Sequence, residues 1–274
     1  MSTSVASRLL LLAIVALFAP ALGGCKTIGS TDTTGSISAA PQQRTEADWR
    51  REGEALGDRF RANPRNPDVA IRYAQALRAT GQRGQAAAVL ETSALHNPEN
   101  RALLGAYGRA LADAGNFKQA LEVLERAHSP DQPDWRILSV QGAVLDQIGR
   151  HAEAQRYYAS ALKIIPDEPS VLSNLGLSYA LSKDLRRAEE TLRRAAARGE
   201  ADRRVRQNLA LVVGLQGRFQ EAETIARADL PPVEASANVA YLKQMLAQKG
   251  NANFKKTIGS RAVEGLEPAD EGGS

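Results

Sequence analysis

The chain has 274 residues, 43% of them hydrophobic and only 5% aromatic, and a formal net charge of +4. That apolar content excludes a disordered protein, and the length suits one large domain or an elongated array. The charge is too mild to argue for nucleic acid, while abundant Ala, Leu and Arg favour helices, where such side chains lose little freedom.

The first segment reads as an export signal. Met1 to Arg8 carries one positive charge, and Leu9 to Ala19 is an apolar run too short for a comfortable membrane span. Leu22-Gly23-Gly24-Cys25 follows and resembles the lipobox of bacterial lipoproteins, which implies cleavage before Cys25 and a diacylglycerol on its sulfur. The competing reading is an ordinary secretory signal with a chance cysteine. Cys25 is the only cysteine, so a disulfide framework within the chain is impossible and lipidation is the use left for it. More than one acyl chain makes anchoring stable. In the enteric sorting rule an Asp after the cysteine retains a lipoprotein in the inner membrane. Lys26 at that place implies an outer-membrane, periplasm-facing destination.

Thr27 to Gln43 is rich in Thr, Ser, Gly, Ala and Pro and reads as a tether. A helix is predicted over Asp48 to Ala62, with Thr45 as N-cap and Trp49, Leu56 and Phe60 on its apolar side, ending at Asn63-Pro64. Then a repeat begins. Gly81, Gly115, Gly149 and Gly217 stand on a ladder of about 34 residues whose missing rung is Lys183. Five residues after each rung comes alanine: Ala86, Ala120, Ala154, Ala188 and Ala222. A small-residue column reads Ala74, Gly108, Gly142, Gly176, Ala210. Large columns read Leu77, Leu111, Leu145, Tyr179, Val213 and Leu90, Leu124, Tyr158, Leu192, Ala226. Small residues let helices approach, glycine ends the first helix in the left-handed conformation, and large residues fill the layer between neighbouring hairpins, none of which buries its apolar face alone.

The period and these columns resemble the tetratricopeptide repeat. The resemblance implies an all-α fold: a right-handed superhelical solenoid of about five helical hairpins with a capping helix at each end. The expected organisation is a signal peptide (1–24), a tether bearing Cys25 (25–44), an N-terminal capping helix (45–66), five repeats (67–230), a C-terminal capping helix (231–249) and a disordered tail (250–274). The C-terminal cap starts at Pro231-Pro232 and carries Val239, Leu242, Met245 and Leu246 on one face. The tail ends in an acidic stretch (Glu264, Glu267, Asp270, Glu271). Lys-Thr-Ile-Gly-Ser occurs twice, at Lys26 to Ser30 and Lys256 to Ser260, both times in a tail.

No catalytic constellation is legible. His96, His128 and His151 fall near hairpin turns without partners at metal-ligand spacing, and no phosphate loop, nucleophile elbow or zinc-protease motif occurs. The expectation is no enzyme, no cofactor, no metal and no small-molecule substrate. The arginine runs (Arg50-Arg51, Arg186-Arg187, Arg193-Arg194, Arg203-Arg204-Arg206) read as solvated helix faces or as attraction to an acidic partner. The remaining surface is the groove that first helices line in such arrays. Its C-terminal half would offer Ser173, Asn174, Leu177 and Leu181, then Gln207, Asn208, Leu211 and Leu215. The amides suit a peptide backbone. The leucines either accept an apolar stripe of a partner or pack on the neighbouring hairpin. The earlier hairpins are more polar there, with Arg72, Gln75 and Arg78, then Arg109 and Asp113, then Ser139 and Asp146.

Asp229-Leu230-Pro231-Pro232 followed by Ala237-Asn238-Val239-Ala240-Tyr241-Leu242 resembles the end of TadD, the lipoprotein family of the tight-adherence (Flp) pilus system. This resemblance implies a pilotin-like role: an outer-membrane lipoprotein that binds the secretin and assists its assembly or localisation. Two other readings stay open. One is a scaffold for another envelope machine, in outer-membrane assembly or peptidoglycan remodelling. The other is a regulatory subunit of an envelope hydrolase.

Overall fold

A computed structural model describes residues 44–198 and 202–247. The signal peptide, Cys25, the tether up to residue 43, both Lys-Thr-Ile-Gly-Ser copies and the acidic tail lie outside the described residues. Within them are twelve helices and no strand: α1 (Glu46–Ala62), α2 (Pro67–Ala79), α3 (Arg83–His96), α4 (Arg101–Asp113), α5 (Phe117–Arg126), α6 (Trp135–Gln147), α7 (His151–Ile164), α8 (Pro169–Leu181), α9 (Leu185–Ala196), α10 (Arg203–Leu215), α11 (Phe219–Ala226) and α12 (Pro232–Ala247). α2 to α11 pair into five hairpins.

Local chemistry sets the helix ends. The first helix of every hairpin is N-capped by a side chain: Asn66, Asn100, Asp134, Glu168 and Asp202 each accept a hydrogen bond from a first-turn N–H. Every first helix also ends alike. The backbone N–H after the turn residue donates back to the large column, from Gln82 to Leu77, Asn116 to Leu111, Arg150 to Leu145, Asp184 to Tyr179 and Arg218 to Val213. This bond closes a Schellman turn and needs a left-handed residue at its corner. Gly81, Gly115, Gly149 and Gly217 take φ of 77°, 83°, 81° and 82°. Lys183, on the glycine-less rung, takes φ of 69°, so a residue with a Cβ is held where glycine belongs. Lys183→Gly should therefore raise stability by about 0.5–1 kcal/mol, the relief of that strain less glycine's greater entropy cost. A urea midpoint equal to or below that of the parent chain would refute the assignment.

The columns meet as the pattern requires. Gly108 lies against Leu124, Gly142 against Tyr158 and Gly176 against Leu192, while Ala86, Ala120, Ala154, Ala188 and Ala222 are all fully buried. Consecutive first helices (α2, α4, α6, α8, α10) pack on one another, whereas consecutive second helices scarcely meet. The first helices therefore form the inner, concave layer of the solenoid. On the outer side Arg218, Gln216 and Arg193 converge on Glu189, and these bonds, Arg218's first, hold its carboxyl down to about 2.

Both ends depart from the repeat in ways that close the array. α1 has the register of a second helix: its C-cap Asn63 before Pro64 matches Asn97 before Pro98, and Leu56, on the large column, is buried. Where the column calls for alanine it has Glu52, which pairs with Arg44 at 3.0 Å and Arg72 at 2.8 Å. A charge thus stands where another first helix would have to cross. Thr45 and Asp48 form a capping box. At the other end Asp229 accepts both Nε (2.6 Å) and Nη2 (2.5 Å) of Arg206, and this pair holds Asp229's carboxyl below the usual range. α12 covers the last hairpin: Leu242 seats against Gly214, and Val239 packs on the cluster of Val212 and Val213. Met245 is half-buried, but Leu246 is 41% exposed, so the covered stripe ends a turn before the helix does.

Candidate interaction groove

The side chains of the inner layer divide into three stretches. In the C-terminal stretch the expected groove residues are mostly consumed by packing. Leu177 and Leu181 are buried in a cluster with Leu209, Val212 and Val213; they join the fourth hairpin to the fifth and do not line a surface. Ser173, Asn174 and Asn208 are buried too. The Asn208 amide donates to Ser173 Oγ at 3.0 Å and the Asn174 amide to Ser139 Oγ at 3.4 Å. Buried amides without partners are costly, and here each finds one on the preceding hairpin, so neither is offered to a peptide. Gln207, Leu211 and Leu215 remain half-buried, the two leucines against the same cluster. Curvature explains the difference: first helices in contact leave only a narrow strip of each facing the concavity.

In the middle stretch Asp146 of α6 is the hub. Its side chain is fully buried and accepts from Ser178 Oγ of α8 at 2.8 Å, from Tyr158 Oη of α7 at 3.1 Å and from His151 Nδ1 at 2.8 Å. Burial raises the carboxyl's pKa, the three bonds opposing it, and burial followed by the charge of Asp146 pushes the Tyr158 hydroxyl well above its ordinary value. His151, expected as a turn residue, thus also serves this network. His128 bonds Gln141 at 3.1 Å, and His96 the carbonyl of Thr92 at 3.0 Å.

The N-terminal stretch is charged. Arg78 of α2 pairs with Asp113 of α4, both largely buried. One turn before Asp113 stands Arg109, half-buried. Beyond it Asp134 caps α6, accepting from the Arg136 N–H at 2.7 Å. Arg78–Asp113, Asn174–Ser139 and Asn208–Ser173 all span 35 residues. On the sequence each position is a separate groove residue; in the fold a separation of one repeat plus one residue brings them side by side.

Elsewhere two open clefts of about 590 and 510 Å³ lie where a second helix meets the turn of the next hairpin, one lined by Gly53, Gly57, Tyr73 and Thr80, the other by Gln155, Ser182, Asp184 and Arg187. Among the described residues no group of three His, Cys, Asp or Glu could hold a metal, and no helix is long and apolar enough to cross a membrane.

Tetratricopeptide-repeat profiles match residues 79–143 and 140–202. Among solved structures the fold is similar to that of PilW, a "widely conserved type IV pilus biogenesis factor", at 18% identity over 71% of this chain and 91% of that one, with a TM-score of 0.62. It is similar to the Cut9–Hcn1 hetero-tetramer of the APC/C, at 16% identity over 79% and 48% with a TM-score of 0.56. The thermophilic repeat protein TTC0263 of Thermus thermophilus is similar at 21% identity over 65% and 100%, with a TM-score of 0.54. At such identities the likeness is one of fold. No curated protein matches the sequence. The hairpins described above are therefore tetratricopeptide repeats, matched as such over residues 79–202.

Proposed function

We propose that the chain is a lipid-anchored scaffold on the periplasmic face of the outer membrane that assists assembly or localisation of a tight-adherence pilus machinery by binding its secretin. The binding part of this reading is carried by the inner layer of first helices, where charged side chains follow α2, α4 and the start of α6. Repeat proteins of this kind use their concave faces to hold extended or helical segments of partners. The address rests on Leu22-Gly23-Gly24-Cys25 and Lys26, and the choice of machine on the TadD-like stretch from Asp229 to Leu242. The similarity to a pilus biogenesis factor is compatible with that choice at the level of fold.

Co-purification of the full lipidated chain from detergent extracts tests the partner: a secretin should be recovered, and recovery of an envelope hydrolase without a secretin would sink the reading. Cys25→Ser should leave a soluble or inner-membrane-associated precursor. If that variant still sediments with the outer membrane, the lipid anchor is wrong.

A further inference from the structure

Arg109 is the cation of the inner layer whose surroundings are least explained by folding. The charges acting on it most strongly belong to the first-helix layer or its caps: Arg78 on α2, Asp113 on α4, Asp134 and Arg136 at the start of α6. Both acids are already engaged, Asp113 by Arg78 and Asp134 in capping α6. Arg136 lies over the Trp135 ring, 4.7 Å from its centroid. Among the described residues Arg109 itself makes no hydrogen bond or ion pair.

Desolvation by the surrounding helices, then repulsion from Arg78, lowers its pKa to about 10 against the pull of Asp113 and Asp134. It is still fully cationic at neutral pH. A guanidinium partly stripped of water and without an ion pair of its own is a cost to the fold. The same arrangement is preorganised for an anion, because the planar fork meets a carboxylate with two parallel hydrogen bonds and little desolvation remains to be done.

We infer that the N-terminal half of the concave face holds an acidic segment of a partner protein, with Arg109 receiving the side-chain carboxylate of an internal Asp or Glu. The inference rests on reading the concave face as a protein-binding groove and names the chemistry of what binds there. An internal residue fits because the layer continues on both sides of Arg109, over α2 and over α6, so a bound chain passes across it and does not end there. Charge complementarity selects the partner's chemistry: Asp113 is paired with Arg78 and Asp134 is held in the cap of α6, so the Arg109 guanidinium keeps its charge and its fork of donors for a carboxylate.

The test uses the full chain and an array of immobilised short peptides of acidic, neutral and basic composition, the chain's own segment from Glu264 to Glu271 among them. Peptides with an internal Asp or Glu should be retained preferentially. Arg109→Gln should weaken that retention about tenfold to a hundredfold, and Arg109→Lys, a point charge without the fork, should restore only part of it. Circular dichroism should show unchanged helicity in both. An acidic preference that survives Arg109→Gln overturns the inference. So does a preference that follows only the peptides' terminal carboxylates, or one in which the chain's own acidic segment outbinds every other. Retention without regard to charge overturns this inference and leaves the groove reading standing; a folded chain that retains no peptide overturns both.

Discussion

Gly176→Val should destabilise the chain by about 3–4 kcal/mol, a loss visible as a lowered urea midpoint. A Cβ at Gly176 would stand 2.6 Å from Leu192 Cγ and 3.2 Å from the Ala188 carbonyl oxygen. The first neighbour is fully buried and has nowhere to turn, and the second is helix backbone. α8 and α9 would have to move apart, and Leu177 and Leu181 on α8 would pull out of the cluster they share with α10. Gly84, in the first turn of α3, has nothing within 4 Å of its notional Cβ. Gly84→Ala should be neutral or stabilising by up to about 1 kcal/mol, because only the propensity of the residue changes. A Gly176→Val chain as stable as the parent would mean that the hairpin does not close as tightly as this crossing requires.

Asp146→Ala should cost about 3 kcal/mol, for a different reason. The carboxylate is the sole acceptor shared by Tyr158, Ser178 and His151. His151 is partly exposed and has water within reach, and Ser178 lies on a helix whose own carbonyls are near. Tyr158 is fully buried, so its hydroxyl would be stranded, and a stranded buried donor costs about 1–3 kcal/mol by itself. Tyr158→Phe added to Asp146→Ala should recover part of the loss, with a coupling of about 1–2 kcal/mol between the two sites. Strict additivity of the two substitutions would remove Tyr158 from the network. Ser178 lies on the next hairpin, so hydrogen exchange should report loosened protection in α8 as well as in α6 and α7.

These two substitutions also show how unevenly the molecule can be read from its residues. Gly176 was legible: a small residue recurring in phase with a glycine ladder has one physical use, and the crossing with Leu192 is where the columns place it. Asp146 was legible only as a polar residue facing inward. Its partners are 5, 12 and 32 residues away, distances set by where two hairpins come to rest, and nothing in the period distinguishes a buried acceptor from an exposed one. The same holds for Asn174 and Asn208. Their place on the first helix points both to a binding surface, and both are turned toward the serine of the hairpin before.

What the sequence determined by itself was the architecture. Repeats in phase, glycines at the turns, alanines at the crossings and the breaks before Pro64 and Pro231 are local statements, and local geometry at helix ends and crossings obeys them almost without exception; even Lys183 adopts the glycine conformation because the closing hydrogen bond from Asp184 demands it. What only the tertiary structure decided was which face of the inner helices stays open. That depends on how closely neighbouring hairpins stack, and the stacking takes up Leu177, Leu181, Asn174 and Asn208 while leaving Arg109 half-buried with no ion pair of its own. A pattern of period 34 places every one of these residues on the same helix of its repeat. Whether such a residue packs, bonds to the next repeat or waits for a ligand is settled by the curvature of the array, a property of all the hairpins together.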